Sequence, residues 1–155
     1  MRALPIPPSS LLREASLFLD FDGTLIDSND AHARSWSDAL REFERDVPPE
    51  AIRPLIGMGG DKLLPRLLGV DAESDTGKAF AERRARSFRD RYMPFLQRTP
   101  GAKELIERFR RERLHLVIAS SARSEELNAM LEQVGLDDLI DKRTSADDAD
   151  NSKPD

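Results

Sequence analysis

A run of apolar residues that ends in two carboxylates constrains this chain more than any other feature: Ser16-Leu17-Phe18-Leu19-Asp20 leads straight into Phe21-Asp22-Gly23-Thr24. A short apolar run bounded by Asp and Gly reads as a strand that breaks into a tight loop. The segment is therefore expected to be a buried strand with chemistry at its end. A second run, Leu114-His115-Leu116-Val117-Ile118-Ala119, stops at Ser120-Ser121, and a third short strand is expected between Leu139 and Thr144. Helical spacing lies between them. Leu105, Ile106 and Phe109 face inward on a helix from Ala102 to about Arg113, and Leu127, Met130, Leu131 and Val134 follow i, i+3, i+4, i+7 on one that Gly135 terminates. Strands alternating with helices indicate an α/β fold, a parallel sheet with right-handed crossovers.

The interval after the first strand is too long for a simple crossover. From Asp30 to about Arg45, His32, Trp36, Ala39, Leu40 and Phe43 recur at helical spacing until Val47-Pro48-Pro49. Leu63, Leu64, Leu67 and Leu68 follow a glycine-rich turn, Gly57 to Gly60, and Phe80, Ala81, Ala85, Phe88 and Tyr92 share a stripe on a helix from Thr76 to Met93. Residues 28–93 thus read as a helical cap inserted into a core made of residues 1–27 and 94–155. His32 and Trp36 are read as packing residues on their stripe, and His115 as a structural residue within its strand. The arginines at 108, 110, 111 and 113 read as a solvent face balanced by Glu104, Glu107 and Glu112. Ala146 to Asp150 reads as a solvated acidic loop.

Composition narrows the chemistry. Twenty-four basic against 29 acidic side chains leave a net charge of -5, which argues against attraction of the whole molecule to nucleic acid or anionic membrane. No apolar run approaches the roughly 18 residues of a membrane span, and Met1 to Ser10 lacks the layout of a secretory signal, so a soluble, cytoplasmic protein is expected. Without cysteine there is no disulfide, zinc-thiolate site or thiol nucleophile. Carboxylates, hydroxyls and lysine must carry any reaction.

Ligands of open parallel sheets sit beyond the carboxyl ends of the strands, where Asp20, Asp22, Thr24, Ser120 and Ser121 all fall. Two carboxylates so close repel unless a cation keeps both ionised, and a hard ion such as Mg2+ suits oxygen ligands. One carboxylate can attack phosphorus while the other acts as general acid and then base. Gly23 lets backbone approach a phosphate, Ser120 can hold a phosphoryl oxygen, and Lys153 can neutralise charge.

Leu19-Asp20-Phe21-Asp22-Gly23-Thr24-Leu25 resembles the first motif, D-x-D-G-T, of the haloacid dehalogenase superfamily. Val117-Ile118-Ala119-Ser120 resembles its second motif and Ser152-Lys153-Pro154 its third. The resemblance implies a Rossmann-like core with an inserted helical cap. It implies Asp20 as nucleophile and Mg2+ ligand, Asp22 as general acid/base and a second ligand through its carbonyl, Ser120 as phosphate-binding hydroxyl and Lys153 as stabilising cation. Leu25-Ile26-Asp27-Ser28 with His32 and Trp36 is similar to the subgroup of beta-phosphoglucomutase and phosphoglycolate phosphatase. Asp22 excludes true dehalogenase chemistry, whose enzymes lack an acid there. The chain ends at Asp155, before the place of the superfamily's fourth, acidic motif, so the C-terminal part of the core is expected to be missing.

The function implied is Mg2+-dependent hydrolysis of a small phosphate monoester, a phosphosugar or a phosphoglycolate-like metabolite, through an aspartyl-phosphate. The alternatives are a phosphosugar mutase, disfavoured because Gly60 stands where the mutases carry an arginine, and a non-catalytic binding protein that keeps the fold. Gly23, Thr24, Ser121, Lys62 and Arg53 are the candidate substrate contacts.

Overall fold

Among the described residues the sheet has three short strands, β1 (Ser16–Asp20), β2 (His115–Ala119) and β3 (Lys142–Thr144), in the order β1-β2-β3 and parallel throughout. The computed structural model describes residues 16–148; Lys153 and the rest of the third motif lie outside the described residues. Asp20 stands opposite Ala119, and Ala119 opposite Thr144, so the chemistry-bearing ends of β1 and β2 finish side by side. Side chains alternate along a strand. Leu17 and Leu19 therefore pack against the core with Leu116 and Ile118, while Phe18 turns away and is 67% exposed. This corrects the expectation of a buried first strand: β1 is the edge of the described sheet, and β2 in the middle is the buried one.

Between β1 and β2 the chain is helical. Helix α1 (Asn29–Glu42) ends before the prolines, because Phe43 caps it and Glu44 takes a positive φ of 58°. The prolines instead open α2 (Pro49–Ile52), where a first-turn proline loses no helical hydrogen bond. Helix α3 (Gly60–Leu68) follows, then α4 (Asp75–Ser87), whose N-cap Ser74 accepts from the Gly77 amide at 3.1 Å. Helix α4 widens into a π turn at Phe88–Tyr92 and tightens into a 3-10 turn at Met93–Phe95. Asp38 on α1 holds the π turn by accepting from Tyr92 (2.7 Å), Arg91 (3.1 Å) and Ser87 (3.3 Å). The outgoing and returning segments then run together: Asp27 N–H donates to Gln97 (2.9 Å), and Thr99 N–H to Leu25 (3.0 Å).

After that return come α5 (Ala102–Arg111) and α6 (Ser124–Val134), the latter ended by Gly135 in the left-handed conformation (φ 63°). On α5, Ile106 is fully buried and Phe109 packs beside the core, but Leu105 is 42% exposed. Leu105 is one residue off the inward stripe, which corrects its sequence assignment. Ala146–Asp148 forms a 3-10 turn rather than a free acidic loop, since Asp147 accepts from the Ser124 amide (2.7 Å) and Asp148 from the Ser145 amide (2.9 Å).

The described residues form two apolar clusters. One joins Leu116 and Ile118 to Ile106, Leu127, Met130 and Leu131 and to Phe21, Leu25 and Ile26 of the loop after β1. The other lies among α1 to α4 and contains Trp36, Leu40, Ile52, Leu63, Leu64 and Phe80. The α4 stripe divides between them, Phe80 entering the second and Phe88 the first. Each fully buried large apolar side chain contributes about 1.5–3 kcal/mol.

Candidate active site

Leaving β1, the chain turns at once. Leu25 N–H (2.9 Å) and Thr24 N–H (3.2 Å) both donate to Phe21, and Gly23 N–H donates to Ile26 (2.9 Å). Gly23 has φ +73°, and an added Cβ would strike the Asn29 side chain, so the turn requires glycine. Fully buried Phe21 anchors the loop in the core, and Asp20 and Asp22 flank it in sequence.

The two carboxylates meet different surroundings. Asp20 is exposed and accepts from Thr24 Oγ1 at 3.2 Å. Asp22 is nearly enclosed, its side chain 12% exposed. Its Oδ1 accepts from Ser28 Oγ (2.6 Å) and His32 Nε2 (2.9 Å), and its Oδ2 accepts from Ser120 Oγ (3.2 Å). Burial by itself raises the Asp22 pKa. The hydrogen bond and attraction of His32, with the hydroxyls of Ser28 and Ser120, outweigh it and hold the group at about 2. Asp22 is a carboxylate at rest.

Helix α1 supplies two of these donors through its first turn. Ser28 stands at its N-cap, but its hydroxyl reaches Asp22 instead of a helix amide. His32 lies one turn on, buried, its ring stacked on Phe88 at 4.3 Å. Its Nδ1 faces Arg84 Nη2 at 2.8 Å. A guanidinium can only donate, so Nδ1 is the acceptor in this contact and Nε2 is the nitrogen that faces Asp22. Arg84 of α4 also pairs with Glu126 of α6 (2.6 Å), both side chains largely buried, and lies over the Phe88 ring at 5.2 Å. The chain Glu126–Arg84–His32–Asp22 thus runs through four elements to one carboxylate.

Of the residues singled out by sequence, the fold brings together Asp20, Asp22, Gly23, Thr24 and Ser120, with Ser121 on the wall of an adjoining cavity. Lys62, half-buried on α3, and Arg53, exposed and hydrogen-bonded to Asp30, do not line that cavity. His32 and Arg84 were missed. The signal was present in both: His32 is a polar residue on an apolar stripe one turn after the acidic loop, and Arg84 sits midway between Phe80 and Phe88 on a stripe otherwise apolar.

Among the described residues no three carboxylates or imidazoles come together as a metal cage. The donors nevertheless suit Mg2+, which keeps several waters and takes one or two carboxylates. The Asp20 carboxylate is open to solvent, and the Asp22 carbonyl accepts none of the turn's backbone hydrogen bonds, which go to Phe21 and Ile26.

The model of the haloacid dehalogenase-like hydrolase family matches residues 17–155. A phosphorylated carbohydrates phosphatase of Thermotoga maritima is 24% identical over 92% of this chain and 65% of its own length. A phosphoglycolate phosphatase of Mannheimia succiniciproducens is 26% identical over 78% of this chain and 58% of its own. The chain thus spans less than two thirds of the curated relatives it matches. The crystal structure of a hydrolase from Pseudomonas syringae superposes with a TM-score of 0.80 at 29% identity, covering 91% of this chain and 64% of that one.

Proposed function

The chain belongs to the haloacid dehalogenase-like hydrolase family, and from that premise we propose that its site hydrolyses a small phosphate monoester through an aspartyl-phosphate on Asp20. The observation that carries the reading is the division of labour between neighbouring carboxylates. Asp20 is exposed, and Asp22 is held by three donors from separate places in the chain. Asp20 Oδ forms a bond to phosphorus as the bond to the leaving oxygen breaks, and that oxygen takes its proton from Asp22. Asp22, again a carboxylate, removes a proton from water as the water oxygen attacks phosphorus, and the Asp20–phosphorus bond breaks to release inorganic phosphate.

Asp22 is a carboxylate at rest, so before the transfer it takes a proton from the monoanionic form of the phosphate ester or from solvent. A phosphate ester brings negative charge beside the carboxylate, and like charge raises a pKa. Ser120 is poised to exchange its contact with Asp22 for a phosphoryl oxygen, and Ser121 and Thr24 flank the same opening. Mg2+, held by the Asp20 carboxylate and the Asp22 carbonyl, would neutralise phosphate charge. Lys153 would do the same from outside the described residues. Residues 28–93 act as the cap in this reading, with the paired segments near Asp27 and Gln97 as its connection to the core. The test is phosphate release from an aryl phosphate with Mg2+ and with EDTA. Release that depends on the metal and is lost in Asp20→Asn supports the proposal; release retained in that variant refutes it.

A further inference from the structure

A cavity of about 470 Å3 opens from Asp22 and lies between the two apolar clusters. Its far wall, on the α1–α3 side, is apolar and includes Trp36, Ile56 and Met58. Two of the three arginines on its lining are paired with acids. Arg84 pairs with Glu126 (2.6 Å) and Arg89 with Glu125 (3.3 Å), while Arg123 is exposed at the rim. Two further acids, Asp61 and Glu73, line the cavity as well. A second negative group on a ligand would meet an apolar wall and a surplus of carboxylates over arginines, with the two arginines of α4 and its π turn already paired. Taking a charge into such a place without a partner is costly, whereas covering apolar surface is favourable.

We propose that the leaving group this cavity accepts is uncharged and apolar-faced, a monophosphate of a neutral alcohol, and that esters carrying a carboxylate or a second phosphate are excluded. The assignment rests on the phosphatase reading above and deepens it. It separates the site from a phosphoglycolate phosphatase and from a mutase that must hold a bisphosphate. The specificity wall is formed by Trp36, Ile56 and Met58, while Asp20 and Ser120 serve the phosphoryl group common to all substrates.

Trp36 is the only tryptophan in the chain, so its emission reports occupancy without turnover. The experiment titrates the chain, in Mg2+, with benzylphosphonate and with phosphonoacetate, which present an apolar and a carboxylate group on the same phosphonate. Benzylphosphonate is expected to half-saturate at a concentration at least about tenfold lower. Half-buried Met58→Lys, which places a cation on the wall, is expected to tighten phosphonoacetate and bring the two within about threefold. Equal half-saturation in the native chain, or no Trp36 response to benzylphosphonate, overturns the assignment. Benzyl alcohol binding as well as benzylphosphonate, with no displacement by inorganic phosphate, overturns the phosphatase reading and the assignment with it.

Discussion

Asp20 and Asp22 stand two residues apart, yet the molecule treats them as separate regions. Asp20 closes an edge strand and faces solvent, with Thr24 as its hydroxyl neighbour. Asp22 sits at the meeting point of β1's loop, α1 and the end of β2, and through His32 it is tied to α4 and α6. In the proposed reaction, the difference lets one loop hold a nucleophile and a proton carrier. The first needs access, the second a fixed place and a controlled proton affinity, and the fold gives the two carboxylates different neighbours.

Beyond loss of the nucleophile itself, the largest effect should come from removing the enclosed carboxylate. Asp22→Asn is expected to lower hydrolysis of an alkyl phosphate by about 10^2 to 10^4-fold, the usual contribution of a general acid or base. A substrate whose leaving group needs no proton should lose less in the first step. Equal losses for both, measured as single-turnover rates, would erase the distinction between the two carboxylates.

The next tests sharpen the contrast at the level of packing. Ile106→Ala beneath the sheet and Leu40→Ala among the helices each leave a cavity at a fully buried site, and each should cost about 2–5 kcal/mol. Denaturant unfolding followed by Trp36 emission, which reports the helical cluster, and by far-UV circular dichroism would show whether the clusters melt together. Arg84→Met removes one partner of the largely buried pair with Glu126 and the contact that orients His32. It should destabilise the chain by about 2–4 kcal/mol. It should also lower turnover more than it changes substrate affinity. A variant with native turnover would detach α4 from the site.

The smallest expected effect is the acid limb of stability. The folded pKa of Asp22 is depressed from 3.8 to about 2, so the carboxylate's contribution is fully present above 3.8 and is lost as pH falls toward 2. That contribution is about 2 kcal/mol, and Asp22→Asn should flatten the corresponding part of a stability profile. An unchanged acid limb in that variant would mean that the three donors do not favour the ionised form.

Local pattern carried much of this structure. The apolar run into Asp20, the run into Ser120 and the i, i+3, i+4, i+7 series closed by Gly135 are all readable because they depend on neighbours in sequence. What was not readable depends on distant pairings. Ser120 meets Asp22 across 98 positions and Arg84 meets His32 across 52. Periodicity placed His32 on a buried stripe correctly, but it carries no information about what shares that burial. The exposure of Phe18 is of the same kind, since an apolar residue in a strand looks the same whether or not the sheet face is covered.

The central claim is that Asp20 takes the phosphoryl group and Asp22 moves the protons. It is tested most directly by exposing Asp22→Asn to acetyl phosphate with Mg2+, quenching in acid and mapping phosphorylation by peptide mass spectrometry. Acetate leaves without general-acid help, so transfer to Asp20 should proceed while hydrolysis stalls, and phosphorylated Asp20 should accumulate. Phosphate on another residue, or none on Asp20 in a folded chain, would contradict the account.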